Sequence, residues 1–245
     1  MRVPKVYHYS TDSNVATVNI EKPIVIPRLP VITNAKQREK CVKSIEKYVR
    51  TSLEYKDLIK YLRDNMDMSQ CAFFQNFDSH NKKGRIEIHH EPYDLYTIVD
   101  VVMTKQEKEI GYIDELVVAE EVMRLHYEGL IGLIPLSITV HELVHDGKLI
   151  VPLNCVYGKF VEFTKRYYDY IVECNPAYIS MLKDKVELTK KLTTEDLSIL
   201  SVKYIYTNVD GFNLPKPLEV DSDEDGSAEK EEKTFSNDSY VDIAV

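Results

Sequence analysis

The chain has 245 residues, 44% of them hydrophobic and 29% charged, with a net charge of −9. That is long enough for a substantial core, ordinary for a globular protein, and free of any apolar run long enough to span a membrane. The N-terminus, Met1-Arg2-Val3-Pro4-Lys5, lacks the apolar core of a signal peptide. The four cysteines, Cys41, Cys71, Cys155 and Cys174, show no C-x-x-C spacing and read as reduced thiols of a cytoplasmic protein.

The charge is unevenly spread. Residues 219–245 hold ten of the 40 acidic residues and two of the 31 basic ones, which leaves 30 acids against 29 bases over residues 1–218. The last 27 residues are poor in large apolar side chains, so they read as a disordered acidic tail. Its simplest role is solubility. Sharper readings make it a contact for a protein partner or a competitor of DNA for a basic surface.

In chain order, residues 1–34 form a β-rich segment interrupted by Pro23, Pro27 and Pro30. From Ala35 the apolar spacing turns helical through Cys41, Ile45, Tyr48, Val49, Leu53, Leu58, Ile59 and Leu62. This stretch carries Lys36, Arg38, Lys43 and Lys47, candidate contacts for a phosphate backbone, although a solvated helical face explains them as simply. Cys71–Phe77 reads as a strand, and Arg85–His90 as a second one, with Ile86 and Ile88 on one face. Residues 93–103 and 113–127 read as a helical hairpin closed by Gly111 and Gly129.

Ser137 caps a short helix that Asp146-Gly147 ends. Beyond it, Lys148–Leu153 reads as a short strand. Tyr157-Gly158-Lys159 then opens a helix to about Ile171, whose packing stripe is Phe160, Phe163, Tyr167 and Tyr170. Lys165 and Arg166 on that helix are further candidate nucleic-acid contacts. Asn175-Pro176 starts a helix to about Leu192 with Lys183, Lys185, Lys190 and Lys191 exposed. Thr194-Glu195-Asp196 caps another helix over residues 197–206.

The chemistry concentrates in the histidines. Four of the seven sit at His89-His90 and at His141 and His145; His126 lies between them, and His8 and His80 lie upstream. His141 and His145 are four apart, so their rings leave one face of the helix and can share an ion. A strand with two adjacent histidines followed by a helix with His-x-x-x-His is a ββα-metal arrangement. The helix histidines and one strand histidine hold a divalent ion there, and the other strand histidine is free to take a proton from water.

On these residues, His89-His90 and Leu133-x-x-Leu136-Ser137-x-x-Val140-His141-x-x-x-His145, the chain resembles the HNH endonucleases of the His-Me finger group. The matching pieces cover about twenty residues. The resemblance implies His89, His141 and His145 as ligands of one divalent metal ion (Mg, Mn or Zn) and His90 as general base in the hydrolysis of DNA phosphodiester bonds. Gly132 stands where that family has its Asn, and the connection from His90 to Gly132 is longer than the usual loop. The general look is similar to bacteriophage-encoded HNH-type proteins, which implies the host cytoplasm as the setting.

Two other readings use the same residues. His141-Glu142-Leu143-Val144-His145 fits H-E-x-x-H, a zinc-protease motif with Glu142 as base and Glu162 or Glu173 as third ligand. The finger can equally be a metal site that only holds a non-catalytic protein together. The expected architecture is α+β: a mostly helical body over residues 35–218, an embedded finger at about 70–153 with a helical insertion at 92–130, and the acidic tail at 219–245.

Overall fold

The computed structural model describes residues 32–74, 85–193 and 195–196. Residues 1–31 of the β-rich N-terminal segment, His8, residues 75–77 of the strand expected at Cys71–Phe77, His80, the helix expected at 197–206 and the acidic tail lie outside the described residues. The described body is α+β and mainly helical, with eight α-helices and one two-stranded antiparallel sheet.

Helix α1 (Ala35–Thr51) opens at Asn34, whose side chain accepts from the Gln37 N–H. Its buried residues Cys41, Val42, Ile45 and Val49 make one face. The helical stretch expected through Leu62 breaks at Ser52, which ends α1 and caps α2 (Leu53–Asn65) by accepting from the Tyr55 N–H. Ser52 is buried, and its hydroxyl also donates to the Val49 carbonyl, so one side chain serves both helix ends.

Helix α3 (Leu95–Ile110) is the centre of the body. Ten of its residues are buried, among them Ile98, Val99, Val101, Val102 and Met103, and it packs on α1, α4 and α7. A helix apolar on nearly every side can only be an interior one. Asp94 caps its start, and Gly111 ends it in the left-handed region at φ 78°, where a side chain would be strained. Helix α4 (Glu115–Tyr127) returns antiparallel to complete the expected hairpin.

Strand β1 (Ile86–His90) pairs antiparallel with β2 (Leu133–Ser137), in register Ile86↔Ser137 through His90↔Leu133. The partner of the histidine strand is therefore the segment just before the next helix. Residues 71–74 form no strand. The reason is a long-range contact: the Ala72 N–H donates to the Pro135 carbonyl at 2.9 Å, and Pro135 has no N–H to return on that edge. Helix α5 (Ile138–His145) follows β2 directly, with the Ser137 hydroxyl accepting from the Val140 N–H.

The strand expected at residues 148–153 is also absent. Its donors are spent elsewhere: the Lys148 and Leu149 N–H groups both reach the Leu143 carbonyl, and the Leu153 N–H reaches the Thr189 hydroxyl. A single 3-10 turn, Leu153–Cys155, takes its place. The helix expected over residues 157–171 divides into α6 (Phe160–Arg166) and α7 (Tyr168–Cys174). The break is at Tyr167, whose ring stacks on Phe163 and whose hydroxyl donates to Glu121 at 2.6 Å. That buried anchor outweighs helical continuity. Helix α8 (Ala177–Lys191) closes the body, and Thr193 and Asp196 then cap each other one residue earlier than expected.

Candidate metal centre

Strand alternation puts Glu87, His89 and Glu91 on one face of the β1 segment. Across from that face, α5 presents His141 and His145 one turn apart. His89, His141 and His145 each offer a ligand atom, and these atoms lie within 4.8 Å of one another. The three rings are mutually near perpendicular, with centroids 4.9 Å (His89–His141), 5.1 Å (His89–His145) and 4.5 Å (His141–His145) apart. His89 is buried, His141 half-buried and His145 exposed, so the cluster sits at the rim of the body.

Nε2 of His141 and Nε2 of His145 are 3.1 Å apart. Two nitrogens bound tetrahedrally to one zinc at 2.0–2.1 Å would be about 3.3 Å apart. The outer nitrogen of His141, Nδ1, lies 2.9 Å from Glu87 Oε2. On the other side, Nε2 of His89 lies 3.5 Å from Oε2 of the buried Glu91. Carboxylates behind imidazoles fix the ring tautomer and leave the opposite nitrogen as a lone-pair donor. Burial, followed by the charges of His89 and His145, holds the His141 imidazole below its ordinary range. A group in that state is neutral near pH 7, as a ligand must be.

His90 points the other way. It is 5% exposed, lies over the Tyr55 ring at 6.4 Å with the planes 9° apart, and has its Nε2 3.0 Å from Nε2 of His126. His126 Nδ1 is 2.7 Å from the Val122 carbonyl, which can only accept. The proton of His126 is therefore on Nδ1, and its Nε2 accepts from Nε2–H of His90. Burial, then His126, pushes His90 well below the usual imidazole range; burial pushes His126 down to about 4. His126, which the sequence places only between the two histidine pieces, is a buried residue and the partner of His90.

A pocket of about 200 Å³ covers the histidine face; His89, His90, His141 and His145 all line it, together with Arg50, Glu87, Asp94 and Leu95. The residue meeting His141 and His145 is His89, where the protease pattern offered Glu162 or Glu173. Glu173 instead pairs with Lys108 at 2.5 Å, and Glu142 is exposed. Gly132, where the resemblance has an Asn, is dictated by backbone contact. A Cβ there would meet the Glu91 carbonyl oxygen at 1.8 Å.

The basic candidates are scattered. Arg38 is drawn inward, with Nε 2.7 Å from Asp100 and its other nitrogens on Glu107, Thr104 and the Asp100 carbonyl. Lys43 pairs with Glu39 one turn away, and Arg166 pairs with Glu128 at 3.1 Å. Lys36, Lys47 and Lys165 are exposed on α1 and α6. Lys185, expected to be exposed, is half-buried and paired with Glu91.

A family model described as "Bacteriophage G278-like virion protein" matches residues 11–211, most of the chain. The chain belongs to that virion protein family. No curated protein and no solved structure matches it. The match corrects the expected DNA endonuclease activity: a G278-like chain belongs with virion proteins, and the phage origin holds without the nuclease. It also shifts the expected setting from the host cytoplasm to proteins of the phage particle. Among the described residues no helix is long and apolar enough to cross a membrane.

The sequence reading missed Glu87, Glu91 and Lys185. The first two had a signal, since Glu-x-His-x-Glu on a strand puts two carboxylates on the face of His89. Lys185 had none, being 94 residues from Glu91 in the chain.

Proposed function

We propose that this G278-like chain is a non-catalytic component of the phage particle, its body braced by one divalent ion on His89, His141 and His145. The observation that carries the particle role is the family match across residues 11–211. The bracing role is supported by the histidine cluster, which joins β1 to the helix that follows β2. An ion there ties together segments that the α3–α4 hairpin separates in sequence, so its binding energy becomes folding energy.

The donor set fits a borderline ion. Three imidazoles with carboxylates only behind them suit zinc, whereas magnesium and calcium need oxygen ligands in direct contact. The absence of turnover is supported by the burial of His90, which is 5% exposed and stacked on Tyr55.

Mass spectrometry of gradient-purified particles, with metal analysis of the recombinant full-length chain, tests both halves. The chain should co-purify with intact particles at a fixed copy number and carry about one zinc. Recovery only in the particle-free lysate would sink the virion role. A chain that neither carries nor takes up a metal would sink the bracing ion.

A further inference from the structure

We infer that Lys185 on α8 is a positioning residue for the metal centre, acting through Glu91, so that ion binding at His89 and docking of α8 are coupled. The inference rests on the metal reading above and extends it to the C-terminal part of the body.

Glu91 is 3% exposed, yet each of its carboxylate oxygens has a defined neighbour. Oε1 takes the Lys185 ammonium, and Oε2 faces Nε2 of His89 at 3.5 Å. A buried carboxylate is tolerated only where cations and donors compensate its lost hydration, and Lys185 is the cation that does so here. With Glu91 held in place, its carboxylate stays beside His89 Nε2 and fixes the direction in which the ring meets the ion. Without Lys185, Glu91 must turn toward water, and His89 loses the acceptor that orients its ring.

The backbone limits any other adjustment. The Glu91 N–H donates to the Gly132 carbonyl at 3.0 Å, and the Glu91 carbonyl occupies the space where Gly132 would carry a Cβ. Lys185 comes from a helix fixed one turn later, where Thr189 accepts from the Leu153 N–H at 3.0 Å. The chain of contact therefore runs from ion to His89, to Glu91, to Lys185, to α8. Coupling of this kind is reciprocal: whatever α8 docking adds to metal affinity, the metal adds to α8 docking.

The test uses the full-length chain as wild type, Lys185→Met, Lys185→Arg, Glu91→Gln and, as a same-helix control, Lys183→Met. Zinc affinity is read by competition with a chromophoric chelator, the ligand field by the visible spectrum of the cobalt-loaded protein, and α8 docking by hydrogen exchange. Lys185→Met and Glu91→Gln should bind zinc ~10–100-fold more weakly, the range for loss of a residue behind a metal ligand. They should also shift the cobalt bands, while Lys185→Arg recovers most of the affinity and Lys183→Met matches wild type. Zinc should slow exchange across residues 177–191 of the wild type more than across α1, a readout that needs no variant to fold. Wild type that binds no zinc would overturn the metal reading itself. Tight zinc binding with unchanged affinity in both variants, or with α8 exchange indifferent to zinc, would overturn the coupling alone.

Discussion

A Cβ on Gly132 would sit 1.8 Å from the carbonyl oxygen of Glu91 and 2.9 Å from a methyl of Val156. The first neighbour is backbone and cannot rotate away, so the strands themselves would have to part. Gly132→Asn, which restores the residue of the HNH pattern, and Gly132→Ala should each destabilise the fold by about 2–4 kcal/mol, at or above the usual cost of overpacking. Urea denaturation should show a lower midpoint for both. A change within about 0.5 kcal/mol, the ordinary scatter of neutral substitutions, would refute the close approach.

What the sequence disclosed and what it hid divide along the same line, between local and long-range causes. Some helix ends were legible because their signals are adjacent in the chain: Gly111 after α3, Ser137 before α5, Asp146-Gly147 after it. The meeting of His141 and His145 followed from helical geometry alone, and their meeting with His89 required a resemblance to suggest it. Cys71–Phe77 reads as a strand from its composition, and nothing adjacent in the chain says that residue 72 will face Pro135, which has no N–H to return. His90 illustrates the same limit. Adjacent to His89, it alternates to the opposite face of the strand, and only the folded hairpin brings His126 to meet it there.

Removal of the ion should loosen the body measurably. A ligand present at 100 times its dissociation constant stabilises a fold by about 2.7 kcal/mol. Chelator treatment should therefore lower the melting temperature by several degrees, and added zinc should restore it. His145→Ala, whose ring is exposed and contributes little packing, should start near the chelated value and ignore both treatments. Equal melting temperatures for chelated and zinc-loaded wild type would count against a bracing ion.

Arg38 makes a separate prediction, because its charge is committed to α3. Its guanidinium meets Asp100 at 2.7 Å and Glu107 at 3.0 Å, linking α1 to the central helix. Arg38→Met would strand the nearly buried Asp100 carboxylate without its cation. The pair is partly solvated, so the cost is discounted from the 3–5 kcal/mol of a fully buried one to roughly 1–3 kcal/mol. Asp100→Asn/Arg38→Met together should recover part of that loss in a double-mutant cycle. Strict additivity of the two single effects would show that the residues do not interact.

Acid should unfold the metal-free protein through His126. Its imidazole is pushed down from 6.5 to about 4 in the folded state, chiefly by burial and secondarily by the charge of Arg50, against the opposing hydrogen bond to the Val122 carbonyl. The groups packed on it are His90 and Tyr55, and His90 is held low as well, so neither offers a compensating charge. Below pH 6.5 the unfolded chain accepts a proton on this ring that the folded chain refuses, and the balance moves toward unfolding until about pH 4, where the folded ring also titrates. The stabilisation is complete above pH 6.5 and lost as pH falls through that window. A displacement of this size corresponds to on the order of 3 kcal/mol. Denaturation free energies measured in chelator from pH 7.5 to 4 should decline by that order, and His126→Asn should flatten the decline while lowering stability at pH 7. A wild-type profile that stays level across the window would mean that the His90–His126 pair accepts a proton without cost, and so is not sealed from water.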